Sequence, residues 1–222
     1  MNLINKIKRR ISQKFRPWSS NYWDNRYAGG GNSGLGSYGK LALFKNKIIS
    51  GFCKENQISS MIEFGSGDGN QVSLLSAGIE YLGLDISPKA IKICKEKFKN
   101  TPSLKFLLFS GKKGFCKRNN LSAPLTLSLD VIYHLIEDQV FENYMHELFT
   151  TSSKFVIIYS SDKEMENEAK HVRHRKFTEY VKAQFPSFSL IQHIPNEYAI
   201  EKGLDEESFA DFFVYQRINN SI

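Results

Sequence analysis

Two short features of this sequence could bind a ligand together. Residues 65–69 read Gly-Ser-Gly-Asp-Gly, and Asp85 follows the first of these glycines by 20 positions. Glycine lets the backbone bend sharply and approach a ligand closely, because it has no Cβ atom. A carboxylate at this separation can accept hydrogen bonds from both hydroxyls of a ribose. The pair therefore predicts a binding turn for a ribose-containing cofactor, provided that the flanking elements place the two features side by side.

The residues around the turn predict elements that would do so. Residues 60–64 are apolar and lead directly into the turn, so they are predicted as a short buried strand. Residues 70–77 are predicted as a helix that Gly78 closes, since glycine tolerates left-handed geometry. Residues 81–84 form a second strand. A strand, a turn, a helix and a strand in this order place Asp85 beside the turn.

The alternation of strands and helices continues along the chain. Helices are predicted over 41–52, from Ser87 onward, over 137–149 and over 177–185, and further strands over 105–109, 125–129, 155–159, 189–193 and 209–217. In the helix at 41–52 the apolar residues face the core, and Lys40, Lys45 and Lys47 lie on the other side. Repeated strand–helix units indicate a parallel sheet with helices on both faces, in a single domain.

The position of the third glycine separates two cofactor classes. A dinucleotide-binding turn, GxGxxG, would place glycine at 70, but that residue is Asn70 and the third glycine is Gly69. With Glu63 ahead of the turn, the segment resembles the E/DxGxGxG signature of class I S-adenosylmethionine-dependent methyltransferases. This resemblance implies S-adenosylmethionine as cofactor and a Rossmann-like α/β three-layer sandwich with a seven-stranded, mostly parallel sheet. The predicted cofactor-binding residues are Tyr22, Trp23, Arg26, Glu63, Gly65, Ser66, Gly67, Gly69, Asn70, Asp85, Ile86 and Asp130.

A second resemblance lies upstream of the turn. An aromatic stretch at 22–27 precedes a glycine- and serine-rich stretch at 29–40, and the two are similar to the N-terminal segment of several small-molecule methyltransferases. That resemblance implies a lid over the cofactor at 21–40, within a methyltransferase domain at 21–222; the alternative is a flexible linker. Residues 34–40 also approach a phosphate-binding GxxxxGK pattern. A nucleotide triphosphatase is rejected, because Leu41 replaces the magnesium-binding Ser or Thr and no strand precedes the loop.

The acceptor side is predicted from two segments that follow strands. In the first, at 128–135, His134 is a candidate general base, and Asp130 could orient it or contact the methionine moiety. The second is a cation cluster at 171–176, which could bind a phosphate or carboxylate and supply an alternative base. Structural roles are the alternatives, a core histidine in one case and a solvated helix start in the other. The catalytic candidates are His134, His171 and His174, and the predicted acceptor-binding residues are Tyr38, Tyr133, Arg173 and Arg175.

Further motifs narrow the acceptor. The chain has no Asp/Asn-Pro-Pro-Tyr motif for methylating exocyclic amines of bases and no Pro-Cys dipeptide for cytosine carbon 5, so DNA is not an expected substrate. No residue pattern calls for a metal. The turn at 109–111 has no acidic residue to hold the adenine amino group. The lid, the aromatic residues and the cations are similar to methyltransferases of surface-glycan pathways. This implies O-methylation of a small acidic acceptor, phosphorylated or carboxylated, such as a sugar or glycan precursor in polysaccharide biosynthesis.

Two other functions stay open. One is methylation of RNA, with basic residues gripping backbone phosphates, which predicts a steep fall of binding with salt. The other is a non-catalytic, cofactor-binding scaffold or regulatory protein that docks a partner or a membrane. A methyl-transfer assay separates the scaffold from both enzymes.

The composition of the chain indicates where the protein is located and which partners it binds. The chain has 222 residues and a net charge of +7, which favours acidic partners. Its three cysteines lack metal-site spacing and indicate reduced, cytoplasmic thiols. Residues 1–20 form a basic segment in which apolar residues of 1–17 recur at helical spacing. This is typical of a helix at the inner face of the membrane or against an acidic partner, the alternative being a short helix packed on the domain. The oligomeric state stays open.

Overall fold

The computed structural model describes residues 17–75, 78–165, 169–199 and 208–218. Residues 1–16 of the basic N-terminal segment, and with them the amphipathic pattern predicted as a helix, lie outside these ranges. Within them, no helix combines the length and the hydrophobicity needed to cross a membrane.

Seven strands form one sheet at the centre of the molecule. Its order is β3-β2-β1-β4-β5-β7-β6, and β7 runs antiparallel to both of its neighbours while the other pairs are parallel. The strands are β1 (Ser60–Phe64), β2 (Glu80–Asp85), β3 (Leu104–Leu108), β4 (Ala123–Leu129), β5 (Ser152–Ser160), β6 (Phe188–Ile194) and β7 (Asp211–Arg217). This confirms the predicted Rossmann-like class with a seven-stranded, mostly parallel sheet.

Helices cover both faces of the sheet. They are α1 (Trp18–Ala28), α2 (Gly39–Glu55), α3 (Pro88–Lys97), α4 (Phe115–Arg118), α5 (Asp138–Thr151) and α6 (Phe177–Gln184). The predicted start of α3 is present, because Ser87 accepts a hydrogen bond from the Ala90 amide at 3.3 Å and Pro88 occupies the first turn. The sequence did not predict α1 or the short α4.

The helix predicted over 70–77 is wrong in the part that the structure describes. Only a single 3-10 turn, Val72–Leu74, forms there, and Leu75 is already extended. The amide of Asn70 bonds to the Asp68 carboxylate at 3.0 Å, so a side chain captures a backbone donor at the start of the segment. Local side-chain bonds of this kind compete with a regular helix.

The alternation of side chains along β1 divides the core into two layers. Met61 packs with Phe44 and Ile91 on the face that α2 and α3 cover. Ile62 and Phe64 pack on the opposite face, which α5 and α6 cover. Parallel strands β1, β2 and β4 end side by side, at Phe64, Asp85 and Leu129. The loops that follow these three ends build the candidate site.

Candidate active site

The glycine turn after β1 and the carboxylate after β2 meet as the sequence predicted. The Gly67 amide donates to Asp85 Oδ2 at 2.9 Å, and the Ser87 amide donates to Asp85 Oδ1 at 2.8 Å. Burial raises the pKa of Asp85 to about 6, although these backbone donors favour its ionised form. The site thus holds a buried carboxylate against the turn, where it can accept further hydrogen bonds.

The turn needs its glycines for both conformation and space. Gly65, Gly67 and Gly69 all have positive φ angles, of 86°, 55° and 73°. A Cβ at Gly65 would collide with the Val131 side chain, and one at Gly67 would collide with Ser33. The turn is therefore packed tightly against the loop after β4 and against the lid.

Asp68 latches the predicted lid to this turn. Its Oδ2 accepts from the Ser33 amide at 2.9 Å and from the Tyr38 hydroxyl at 2.8 Å, and its own amide donates to Ser33 Oγ. Asn70 adds a bond from its side-chain amide to the Ser37 carbonyl at 2.7 Å. The hydroxyl of Tyr38, a residue predicted to contact the acceptor, takes part in this latch.

Helix α1 carries the aromatic part of the lid over the same end of the sheet. The Ser87 hydroxyl donates to Asp24 at 2.8 Å, which ties α1 to the start of α3. Tyr22 stacks on His171 with ring centroids 4.8 Å apart, and Trp23 meets His134 edge-on at 4.9 Å. Tyr22 and Trp23, which are predicted to bind the cofactor, therefore lie against two of the predicted catalytic histidines.

Asp130, after β4, is the centre of a buried charged group. It has a positive φ of 58°, an unusual conformation for a non-glycine residue. Its two carboxylate oxygens bond to Lys45 Nζ at 2.5 Å and to the Tyr133 hydroxyl at 2.8 Å. A Cβ at Gly36 of the lid would lie 2.8 Å from the same carboxylate. Asp130 thus joins α2, its own loop and the lid.

The position of Lys45 differs from the one that the helical pattern of α2 predicts. The sequence placed it with Lys40 and Lys47 on the polar side of the helix, but Lys45 is 1% exposed and lines the cleft. The salt bridge to Asp130 and the Tyr159 ring, 5.3 Å from its ammonium, accommodate the buried charge. An i, i+4 relation to Leu41, a predicted core residue, was the signal available in the sequence.

Glu63 is a second buried acid, at the end of β1. It accepts from the Tyr81 hydroxyl at 2.5 Å and lines the cleft. Burial raises its pKa to about 7, while the Tyr81 hydrogen bond and the charge of Lys45 oppose that rise. Its predicted place beside the cofactor turn agrees with this position.

His134 lies between α1 and the cation segment after β5. Its Nδ1 lies 2.9 Å from the backbone carbonyl of His171, and a carbonyl only accepts, so Nδ1 carries the hydrogen. Burial lowers the pKa of His134 to about 4, so the imidazole is neutral near pH 7 and its Nε2 holds a lone pair. Among the described residues, Nε2 has no hydrogen-bond partner.

The two arginines of the cation segment bind within the chain. Arg175 donates to the carbonyls of Leu135 and Ile136 at 2.6 and 3.0 Å, and both Arg173 and Arg175 pair with Asp138. These contacts fix the loop that carries His134. The Arg173 side chain is still 41% exposed.

His174 belongs to a separate contact next to this segment. Its Nδ1 lies 2.7 Å from the Ser161 hydroxyl, and its ring packs edge-on against Phe209. Burial lowers its pKa below the usual value. Of the three catalytic candidates, His134 is the one that lines the cleft.

These elements enclose one cleft of about 950 Å³, including its open mouth. Apolar side chains form one part of its wall, including Ile86, Phe109, Val131 and Leu135, and suit an aromatic base. Three polar atoms that line it are buried and have no partner among the described residues: Ser20 Oγ, Ser66 Oγ and Gln71 Oε1. Buried polar atoms in native proteins usually have a partner, and a polar ligand in the cleft would supply one to these three. S-adenosylmethionine, with a base, a ribose and a charged amino-acid end, fits this lining.

Residues that sequence reasoning missed include Ser20, Lys45, Asp68 and Gln71. In the described ranges no group of three or more His, Cys, Asp or Glu side chains is arranged to hold a metal ion.

Comparison with known proteins agrees with the fold. Residues 62–157, less than half of the chain, match the sequence model of a family described as "Methyltransferase domain". No curated protein sequence is significantly similar to the chain.

Several solved structures have the same fold at low sequence identity. The N-methyltransferase NodS from Bradyrhizobium japonicum WM9, in complex with S-adenosylhomocysteine, is similar with a TM-score of 0.66 and 10% identity, over 90% of this chain and 99% of that one. The magnesium protoporphyrin IX methyltransferase of Synechocystis PCC 6803, with bound S-adenosylmethionine, has a TM-score of 0.62 and 13% identity, over 91% and 99%. A methyltransferase domain of a bacterial Hen1 has a TM-score of 0.63 and 18% identity, over 83% and 100%.

The fold and the site together define the class. The methyltransferase-domain match, the strand order and the glycine turn beside a buried carboxylate identify the chain as an S-adenosylmethionine-dependent methyltransferase. The similar structures are different methyltransferases and do not define the acceptor of this chain.

Proposed function

We propose that this enzyme methylates a hydroxyl oxygen of a small acidic acceptor, a phosphorylated or carboxylated sugar or glycan precursor. The observation that carries the proposal is His134, a neutral imidazole on the cleft wall whose Nδ1 hydrogen is engaged by the His171 carbonyl. Its Nε2, which has no hydrogen-bond partner within the described ranges, is therefore the atom available to accept a hydroxyl proton.

The reaction is a direct displacement. Bound S-adenosylmethionine supplies an electrophilic methyl group on a sulfonium. Transfer of that methyl group to the acceptor oxygen would release S-adenosylhomocysteine, and the hydroxyl proton would pass to His134 Nε2. Holding the oxygen in line with the methyl group supplies much of the rate. Tyr22 of α1 stacks on the His171 ring and Trp23 meets the His134 ring edge-on, so aromatic side chains pack against this imidazole.

Positive charge near His134 supports an acidic acceptor. The Arg26 guanidinium lies 5.8 Å from the centre of the Trp23 ring, and Trp23 in turn meets His134 edge-on. Burial lowers the pKa of His134, and the charge of Arg26 lowers it further. Arg26 donates through Nε to the Asn32 carbonyl at 2.7 Å and has no ion pair among the described residues. An anionic substituent would be attracted to Arg26.

The test is a methyl-transfer assay by mass spectrometry on matched acceptor pairs, each a phosphorylated or carboxylated sugar and its uncharged counterpart. We expect transfer to the anionic member. Substitution His134→Gln is expected to lower kcat by about 100-fold or more, the usual contribution of a general base, with little change in S-adenosylhomocysteine affinity. His193→Gln, at an exposed histidine of the edge strand β6, is the control and should not change kcat.

Three results would contradict the proposal. Transfer to the uncharged sugars alone would refute the acidic acceptor, and full activity of His134→Gln would place the base elsewhere. Activity on RNA that falls steeply with salt would favour the RNA alternative.

A further inference from the structure

Lys45 is the strongest feature of the cleft that the proposed reaction does not use. It is fully buried, and the described residues give an acceptor to only one of its three N–H groups, through Asp130 Oδ2. An ammonium in such a place is costly unless further partners satisfy it. Because Lys45 lines the cleft, a ligand is positioned to supply them.

Gln71 also lines the cleft, and it contacts α2, the helix that carries Lys45. Its Nε2 donates to the Ala42 carbonyl at 3.1 Å, and Ala42 is one helical turn before Lys45 in α2. This bond fixes the amide so that Oε1 is the remaining acceptor. Oε1 is buried without a partner, and Gln71 is 6% exposed. A buried, oriented acceptor calls for a donor from the ligand.

We propose that Lys45 and Gln71 bind the amino-acid end of S-adenosylmethionine, Lys45 through the carboxylate and Gln71 Oε1 through the ammonium. The proposal rests on the cofactor assignment of the proposed function. A zwitterion needs one cationic donor and one acceptor, and these two residues offer that combination on one wall. The salt bridge to Asp130 holds Lys45 in place, and the Tyr133 hydroxyl holds Asp130.

Two neighbouring acids, Asp130 and Glu63, could in principle also accept a hydrogen bond from the ligand ammonium. Neither replaces Gln71 in this role. Both oxygens of Asp130 already have donors, from Lys45 and Tyr133. Glu63 is engaged by Tyr81, and its raised pKa leaves it partly protonated near pH 7. Gln71 Oε1 is the neutral acceptor in this group that has no donor among the described residues.

The experiment measures equilibrium binding of three ligands by calorimetry, without an acceptor. S-adenosylmethionine has both charged groups, decarboxylated S-adenosylmethionine keeps only the ammonium, and 5′-methylthioadenosine has neither. Lys45→Met should weaken S-adenosylmethionine about 10- to 100-fold, as expected for a lost charge-assisted hydrogen bond, and leave the other two ligands unchanged. Gln71→Met should weaken both ammonium-containing ligands about 10-fold and leave 5′-methylthioadenosine unchanged.

Two further variants keep the test interpretable. Lys47→Met changes an exposed lysine of the same helix and should leave all three affinities unchanged. If Lys45→Met alone folds poorly, the double variant Lys45→Met/Asp130→Asn replaces it, because it removes both charges of the buried ion pair. The double variant should show the same loss of preference for ligands that have the carboxylate.

The outcomes separate this inference from the function. Equal weakening of all three ligands by Lys45→Met, or none, would overturn the assignment of Lys45 to the carboxylate. Weakened 5′-methylthioadenosine binding in Gln71→Met, or unchanged binding of all three ligands, would overturn the assignment of Gln71. Failure of the unmodified enzyme to bind S-adenosylmethionine at all would instead refute the cofactor on which both proposals depend.

Discussion

Substitution Gly65→Ala tests whether close approach at the turn is required. Gly65 has a φ of 86°, and its missing Cβ leaves room for the Val131 side chain. The unfavourable backbone conformation alone costs an alanine about 1–3 kcal/mol. Displacing a β-branched neighbour in a packed site adds about 1–3 kcal/mol, the usual cost of overpacking. The free energy of unfolding should therefore fall by about 2–6 kcal/mol.

Gly78→Ala is the matched control for this experiment. Gly78 has a φ of 95°, but a Cβ there meets no atom within 4 Å. It should lose only the backbone part, about 1–3 kcal/mol, and keep its affinity for S-adenosylhomocysteine. Urea denaturation and calorimetry measure both quantities. Equal destabilisation of the two variants, with unchanged affinity in Gly65→Ala, would refute the reasoning.

Three further predictions concern acidic residues and the groups bonded to them. Since burial raises the pKa of Glu63 from 4.5 to about 7, the folded state binds its proton more tightly, so stability present below pH 4.5 is lost as the pH rises to 7. Urea denaturation gives the fall in the free energy of unfolding between pH 4.5 and pH 8, and Glu63→Gln should make this fall smaller by about 3 kcal/mol. An unchanged pH dependence would contradict this. Tyr38→Phe removes a hydrogen bond to Asp68 and should cost about 1 kcal/mol, with faster amide exchange at 33–38; slower or unchanged exchange would argue against the latch. Asp138→Ala breaks two exposed ion pairs, so its cost should be under about 1 kcal/mol and shrink further in high salt, whereas a large, salt-independent loss would show a different role.

The sequence predicted the fold and the contact between the glycine turn and Asp85, because both follow from local patterns. Residues 60–64 and 81–84 are short apolar runs beside clear turn signals, and the structure has strands there. The Gly65 turn and Asp85 belong to one strand–helix–strand unit, and their contact follows from that topology. The resemblance to class I methyltransferases then supplied the strand number.

The rest depends on contacts between distant segments, which periodicity does not contain. The helical pattern predicts Lys45 on the polar side of its helix, and lysine is rarely buried, yet Asp130, 85 residues away, compensates its charge. The helix predicted over 70–77 is absent from the described part of that segment, where the Asp68 carboxylate accepts a hydrogen bond from the Asn70 amide. The arginines after β5 carried the expectation of an anion site, but the Leu135 and Ile136 carbonyls and Asp138 engage them.

Binding of S-adenosylhomocysteine to the unmodified enzyme and to Asp85→Asn tests the central claim most directly. The structure places the Asp85 carboxylate against the glycine turn, with two backbone amides orienting it. Calorimetry should show binding to one site, weakened about 10- to 100-fold by Asp85→Asn, because hydrogen bonds to the charged group are lost. Glu80→Gln, at an exposed position at the start of β2, should bind as tightly as the unmodified enzyme. Absence of binding, or equal affinity in Asp85→Asn, would contradict a cofactor site built on this turn.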